Sequence, residues 1–393
     1  VSTGTTVIHS ARLVRSTGIV DDAWVRFEGD RIAAVGTGDD WAEGSGAEGP
    51  GADTSEFQVT DAAGRLLAPG FIDLHCHGAG GAAADEGVEA IERILAVHNA
   101  HGTTRTVLSL VTASIDDLVA HVRTIAEVAA RDPRLLGSHL EGPFLDHGFR
   151  GAHDPALLRA ADAASVERLL EAADGTLRQI TIAPEHEGAA DAIARFVAAD
   201  VRVAVGHTSA DFDTALAAFD AGASLLTHAF NAMPPIHHRM PGPVVAAMHA
   251  PHVTLEVIND GVHVHPDVVR LAFAGAPGRV ALITDAMAAA GSADGRYLLG
   301  SLEVDVVDGV ARLVDGGSIA GSTLTLDVAL QRAVTQSGIP LETAVAALTE
   351  VPAAAIGRAH DLGRLEVGYA ADAVLLSDDL EVEQVWGAGR RLA

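Results

Sequence analysis

The sequence predicts an α/β fold: a (β/α)8 TIM-type barrel with a small β-sandwich domain built from both chain ends. Three observations carry this reading. From Ala68 onward, short apolar runs alternate with Ala-rich amphipathic segments, the pattern of a parallel sheet covered by helices. Residues of metal-ligating type stand at the ends of five of those runs, and a closed barrel brings all its strand ends to one mouth. Both extremities of the chain are β-like in character. An open doubly wound sheet would gather far fewer of these strand ends, so it ranks behind. The expected divisions are 1–67 for the first part of the sandwich, 68–362 for the barrel and 363–393 for the rest of the sandwich.

Taken in order, the first region carries two apolar-rich runs, Ala23–Glu28 and Arg31–Val35, joined by Gly29-Asp30, a type I′ hairpin signal. Residues Trp41 to Glu56, rich in Gly, Ala and acids, read as an exposed loop. Phe71-Ile72-Asp73-Leu74-His75-Cys76-His77 reads as an extended apolar run. Amphipathic segments at Gly87–His101, Ile115–Ala130, Ala161–Ala173, Ala189–Ala199 and Thr214–Ala221 then alternate with apolar runs. Those runs are Leu135–Leu140, Val201–Val205, Ser224–Thr227 and Val280–Thr284. Ser301–Val314, centred on Asp308-Gly309, reads as a second hairpin inserted before the last barrel helix. Beyond Gly363, Ala373–Leu376 and Val382–Trp386 return to β character and are expected to pair with the first strands.

Charge narrows the functional classes. The 393 residues include 26 basic and 53 acidic ones, a formal charge of −27. That balance argues against nucleic acid and anionic membrane as partners, and any anionic substrate would need a local positive site. No apolar stretch approaches the roughly 20 residues of a spanning helix. The start, Val1-Ser2-Thr3-Gly4, has no signal-peptide character. The single cysteine, Cys76, excludes an internal disulfide and fits a reducing cytoplasm. Every basic residue is arginine, so Schiff-base chemistry and a carbamylated-lysine metal bridge are both excluded. An ordinary carboxylate must then be the shared ligand, and Glu141 is the candidate.

His75 and His77, two apart on one strand, project to the same face and can grip one ion together. Cys76 between them points away and is expected to be a small buried hydrophobe. Glu141, His207, His228 and Asp285 each end another apolar run. Oxygen and imidazole donors suit a catalytic Zn²⁺ or similar divalent ion with an open position for water.

Seven segments, in order, resemble the N-acetylglucosamine-6-phosphate deacetylase family of the amidohydrolase superfamily. They are Pro69-Gly70-Phe71-Ile72-Asp73-Leu74-His75-Cys76-His77, His139-Leu140-Glu141-Gly142-Pro143-Phe144, Gly206-His207-Thr208, Thr227-His228-Ala229-Phe230-Asn231-Ala232-Met233, Asp260-Gly261-Val262-His263, Thr284-Asp285-Ala286 and Ala320-Gly321-Ser322. The first is shared across the superfamily; the Glu-Gly-Pro, Thr-His-Ala-Phe-Asn-Ala-Met and Asp-Gly-x-His segments are more specific. The resemblance implies metal-dependent hydrolysis of the acetamide of an acetylated hexosamine 6-phosphate, the gluco isomer first. Glu141, His207 and His228 would hold the principal metal, with a second ion at His75, His77 and Glu141, giving one or two ions per subunit. Zn²⁺ is the expected ion, with Fe²⁺, Co²⁺ and Mn²⁺ also admitted. Asp285, beside the ion, would act as general base and His263 would stabilise the oxyanion. Ala152, His153, Asn231, Ala232, His263, Ile319, Ala320 and Gly321 match substrate-contact positions. Arg239, in His237-His238-Arg239, matches a phosphate-binding arginine that acts partly across a dimer interface, so a homodimer is expected. The alternatives are the galactosamine isomer as substrate, purine deamination, or an assembly protein that has lost catalysis.

Overall fold

The computed structural model describes residues 4–42 and 57–393. Most of the loop expected at 41–56 lies outside them, and Asp40–Ala42 at its start is one 3₁₀ turn. Among the described residues, eight parallel strands in unbroken chain order form the barrel. They are β1 Phe71–Cys76, β2 Thr103–Val111, β3 Leu135–Glu141, β4 Leu177–Ile182, β5 Arg202–Val205, β6 Leu225–Leu226, β7 Thr254–Ile258 and β8 Val280–Ile283. Closure is direct: the Asp285 amide donates to the His75 carbonyl at 2.8 Å, and Cys76 bridges Ala286 in parallel register. β1, β3 and β8 are short and buried throughout, as a sheet covered on both faces requires.

Some of the helices begin at a residue whose side chain caps them. Ser114, Asp162 and Asp211 each accept from the backbone N–H three residues on. These caps move two boundaries from their expected places: one helix runs Ala163–Ala173, and another starts at Phe212 rather than Thr214. The helix Ile115–Ala129 buries Ile115, Leu118, Val122, Ile125 and Val128, a single stripe at helical spacing against the barrel. Removing one such side chain, as in Ile125→Ala, costs about 2–5 kcal/mol.

A second eight-stranded sheet draws on both chain ends. Its front strands are Thr5–Arg15, Gly18–Glu28, Arg31–Thr37, Phe57–Asp61 and Leu66–Pro69; Ala373–Leu376, Val382–Gly387 and Arg390–Arg391 complete it. Leu66–Pro69 pairs antiparallel with Ala373–Leu376, joining the two ends. Phe27, Leu67, Leu375 and Trp386 share its separate apolar core. A buried fork ties this sheet to the barrel: Arg105 of β2 donates to both oxygens of Asp372, at 2.6 and 2.9 Å. The turn at Gly29-Asp30 departs from type I′. Only Gly29 takes a positive φ (61°), which fits a II′ turn, because glycine in first place carries the left-handed conformation and Asp30 need not.

The expected hairpin at 301–314 is one part of a three-stranded antiparallel sheet, Gly295–Leu299, Leu302–Val307 and Val310–Leu313. It shares a core with Met287, Ala289 and Ala320, against Val111 and Ala152. The insertion therefore sits over the barrel mouth.

Candidate metal centre and its cavity

Every candidate ligand lies at the carboxyl end of a barrel strand. β1 supplies His75 and leads into His77, β3 ends on Glu141, and His207, His228 and Asp285 stand two residues beyond β5, β6 and β8. Those last three hold φ of 47°, 28° and 49°. A left-handed backbone at a non-glycine residue costs of order 1–3 kcal/mol and persists where the surroundings impose it, commonly at functional sites.

Glu141 is the hub. Its Oε1 lies 3.1 Å from His207 Nε2, 3.0 Å from His228 Nε2 and 3.4 Å from His75 Nε2. Its Oε2 lies 3.1 Å from His77 Nε2. His207 and His228 face each other, Nε2 to Nε2, at 2.9 Å; His75 and His77 do so at 3.0 Å. Asp285 Oδ1 is 3.4 Å from His75 Nε2 and 3.3 Å from His77 Nε2. Two ligand groups result, Glu141–His207–His228 and His75–His77–Glu141–Asp285, sharing one carboxylate.

These separations fit a metal ion. Donors about 2.0–2.1 Å from a tetrahedral ion stand roughly 3.4 Å apart, and the observed edges run from 2.9 to 3.4 Å. The tautomer agrees. His207 Nδ1 lies 3.0 Å from the Phe149 carbonyl, an acceptor, so Nδ1 carries the proton and Nε2 turns its lone pair toward Glu141. Two acceptors so opposed need a cation between them.

Electrostatics point the same way. Burial opposes a charge on His75, yet Glu141 and Asp285 outweigh it and hold its pKa well above the usual imidazole value. His77, equally buried, is raised to about 9 by Asp285 and Glu141. Burial would raise Asp285, but His75 and His77 bring it down to about 2. Glu141 is held well below the usual range despite its burial, by His75 and its hydrogen-bonded histidines. The carboxylates demand positive charge at this point, which a metal ion would supply.

A buried supporting layer fixes the ligands. Asp73 Oδ2 accepts from Thr284 Oγ1 at 2.6 Å, and its Oδ1 from the His75 amide at 3.2 Å, locking β1 to β8 at the closure. Glu256 Oε2 stands 3.5 Å from His75 Nδ1 and Gln179 holds its other oxygen at 2.7 Å. His139 packs edge-on to His75, its two nitrogens on Ser109 and Thr181 at 2.9 and 2.8 Å. Cys76 points away from the ligands, but toward His98, with Sγ 3.2 Å from Nε2; it is polar-paired rather than purely apolar.

A cavity of about 400 Å³ opens above the ligands. His77, Glu141, His207, His228 and Asp285 form its floor, while His75 lies fully buried behind them. Ala152, His153, Asn231, Ala232, His263, Ile319 and Gly321 all line it. His153 Nε2 stands 3.5 Å from Glu141 Oε2 and its Nδ1 is 2.9 Å from Thr112 Oγ1. Asp260 Oδ2 grips His263 Nδ1 at 2.7 Å, and Asp260 Oδ1 accepts both the Val262 and His263 amides at 2.8 Å. Two expected residues lie elsewhere. Ala320 is buried in the insertion's core and does not line the cavity. Arg239 is exposed, with Nη1 2.7 Å from His238 Nε2, and is outside the lining.

Arg150, Leu299 and Ser318 are among the wall residues that escaped the sequence reading. Arg150 brings a guanidinium to the cavity, and its position directly before Gly151-Ala152-His153 was the signal. Leu299 and Ser318 come from the insertion, whose path over the mouth no local pattern discloses.

The sequence profile of the Amidohydrolase family matches residues 66–392. The chain belongs to the amidohydrolase family. This amidohydrolase is 37% identical over 391 residues to the N-acetylgalactosamine-6-phosphate deacetylase of Escherichia coli O157:H7, covering 98% of this chain and 99% of that protein. It is 36% identical over 328 residues to the N-acetylglucosamine-6-phosphate deacetylase of Vibrio furnissii, covering 82% of each. Among solved structures, a mutant of N-acetyl-D-glucosamine-6-phosphate deacetylase from Mycobacterium smegmatis, in complex with N-acetyl-D-glucosamine-6-phosphate, superposes with a TM-score of 0.90. It is 41% identical, covering 99% of this chain and all of that one.

Proposed function

We propose that this amidohydrolase hydrolyses the acetamide of N-acetyl-D-glucosamine 6-phosphate, giving D-glucosamine 6-phosphate and acetate. The observation that carries the proposal is the Glu141 carboxylate set between two histidine pairs, with Asp285 at the same cavity floor. Likeness to acetylated-hexosamine phosphate deacetylases over most of the chain supports the substrate class.

In this reading Glu141, His207 and His228 hold the principal ion and His75 and His77 join Glu141 at a second. Zn²⁺ is the first choice for a set of imidazole and carboxylate donors. Once bound, such an ion lowers the pKa of a coordinated water toward about 7 and polarises the acetamide carbonyl. Asp285 takes the attacking water's proton and returns it to the leaving amine nitrogen. His263, with Nδ1 committed to Asp260, presents Nε2 to the carbonyl oxygen and stabilises its developing charge. His153, Asn231 and the backbone at Ala152, Ala232, Ile319 and Gly321 orient the sugar. Arg150 from the same chain and Arg239 from a partner subunit are the proposed phosphate contacts, since Arg239 does not line its own cavity. A homodimer and a cytoplasmic location are therefore part of the proposal, the latter in keeping with one buried, unpaired cysteine.

The galactosamine isomer is the second reading, favoured by full-length likeness to the Escherichia coli enzyme. It differs only at C4 and leaves the ligand set unchanged. Acetate release from the two 6-phosphates, measured in parallel, decides between them. A higher kcat/KM for the gluco isomer is expected; the reverse order reassigns the substrate, and no release from either refutes the deacetylase reading.

A further inference from the structure

A second cavity, about 210 Å³ in volume, opens at the opposite end of the barrel from the ligand cluster. It is lined by Arg105, Arg178 and Arg358 together with Pro133, Leu135 and Thr176. Arg105, Leu135 and Arg178 stand near the amino-terminal ends of β2, β3 and β4, whereas the metal centre occupies the carboxyl ends. Three guanidinium groups at one small cavity are conspicuous in a chain of net charge −27.

Two of the three are neutralised. Arg105 forks onto Asp372, and Arg358 donates to Asp361 through Nε at 2.8 Å and Nη2 at 2.5 Å. Arg178 differs. Its Nε donates to the Leu136 carbonyl at 2.7 Å, and among the described residues no carboxylate lies within ion-pair distance of it. Burial and the charge of Arg358 both disfavour its cation, and Asp200 offsets them only in part. With Nε occupied, its terminal amino groups remain to serve an acceptor. An uncompensated guanidinium beside a like charge is costly, and an oxyanion matches the fork it offers.

We propose that this arginine cavity is an anion site that takes inorganic phosphate or the phosphate group of a sugar phosphate. The cavity volume is several times the roughly 30 Å³ share of one water in the liquid, enough for a tetrahedral oxyanion. Its ligand would bridge Arg178 to Arg358 and so join β4 to the segment after the helix Glu350–Ala355. Neither arginine takes part in the chemistry of the distant cavity.

The test measures phosphate binding to the metal-loaded protein by calorimetry and by thermal shift, with inorganic phosphate and glucosamine 6-phosphate as separate arms. Arg178→Gln is expected to weaken one class of sites by about tenfold or more, the scale of a lost charge-assisted bond. Deacetylation kinetics in phosphate-free buffer should not change. Arg178→Lys, which keeps the charge but not the fork, should lose a smaller factor; it carries the test if Arg178→Gln fails to fold. An Arg178-dependent site tighter for glucosamine 6-phosphate identifies the sugar phosphate as ligand, and one tighter for phosphate identifies the free ion. Binding as tight in the variants as in the parent chain overturns the assignment, because all anion binding then belongs to the metal-site cavity.

Discussion

Asp260 holds His263 by its Nδ1 at 2.7 Å, which leaves only Nε2 of that ring to face the cavity. With the Nδ1 proton committed to Asp260, Nε2 can donate to an oxyanion only when the ring is an imidazolium. Burial disfavours that charge, but the hydrogen bond and charge of Asp260, aided by Asp285, raise the His263 pKa above its usual value. The oxyanion stabilisation proposed for His263 is thus expected below the raised pKa and should be lost as pH rises through it. Asp260→Asn should lower that pKa and move the alkaline limb of kcat/KM to lower pH. A pH–rate profile unchanged by the substitution would show that His263 acts as a neutral ring or not at all.

Asp285 is expected to matter for rate more than for binding. Asp285→Asn should reduce kcat by about 10²–10⁴ while KM changes little, the usual scale for a general acid–base group. Metal content of the variant must be measured alongside, because Asp285 Oδ1 also approaches His75 and His77. A near-normal rate with full metal content would move the proton transfer to another residue.

Substitution of the candidate ligand histidines would separate the two proposed ion sites. His207→Ala or His228→Ala should abolish activity together with the principal ion. His75→Ala should remove only a second ion, leaving the Glu141–His207–His228 group in place. Titration with metal read by elemental analysis checks this. Saturation at one ion per chain, unchanged by His75→Ala, would make the centre mononuclear.

In the proposed function phosphate recognition divides between Arg150, which lines the chain's own cavity, and Arg239, which does not. Each single alanine variant should weaken use of the 6-phosphate substrate by about 1.5–3 kcal/mol, with little effect on unphosphorylated N-acetylglucosamine. Mixed dimers of Arg239→Ala and Asp285→Asn chains should recover about half the sites if Arg239 serves the partner's cavity. No recovery in the mixture would confine Arg239 to its own subunit.

The cluster of candidate ligands was legible because its residues obey strand geometry. His75 and His77 share a face through the period of two, and each of the others follows an apolar run at a strand end. What escaped depends on contacts distant in sequence. The strand Gly295–Leu299 is largely exposed and lacks a clean alternation, so it gave no strand signal. The helix Gly242–His249 is apolar over most of its surface and lacks an amphipathic stripe. The β6 strand has only two residues, fixed by its parallel neighbours rather than by its own propensity. Arg150 and the Arg178 cavity are arginines among many, and only the folded chain separates them from solvated surface charge.

The proposed hydrolysis needs an ion held at Glu141, and one sample can test this. Acetate release from N-acetylglucosamine 6-phosphate should be measured on protein stripped by chelation and then refilled stepwise with Zn²⁺, with bound metal determined at each step. Activity should be lost on stripping and return in proportion to the ion bound, and Glu141→Gln should neither bind the ion nor recover. Full acetate release from the metal-free protein would contradict the account.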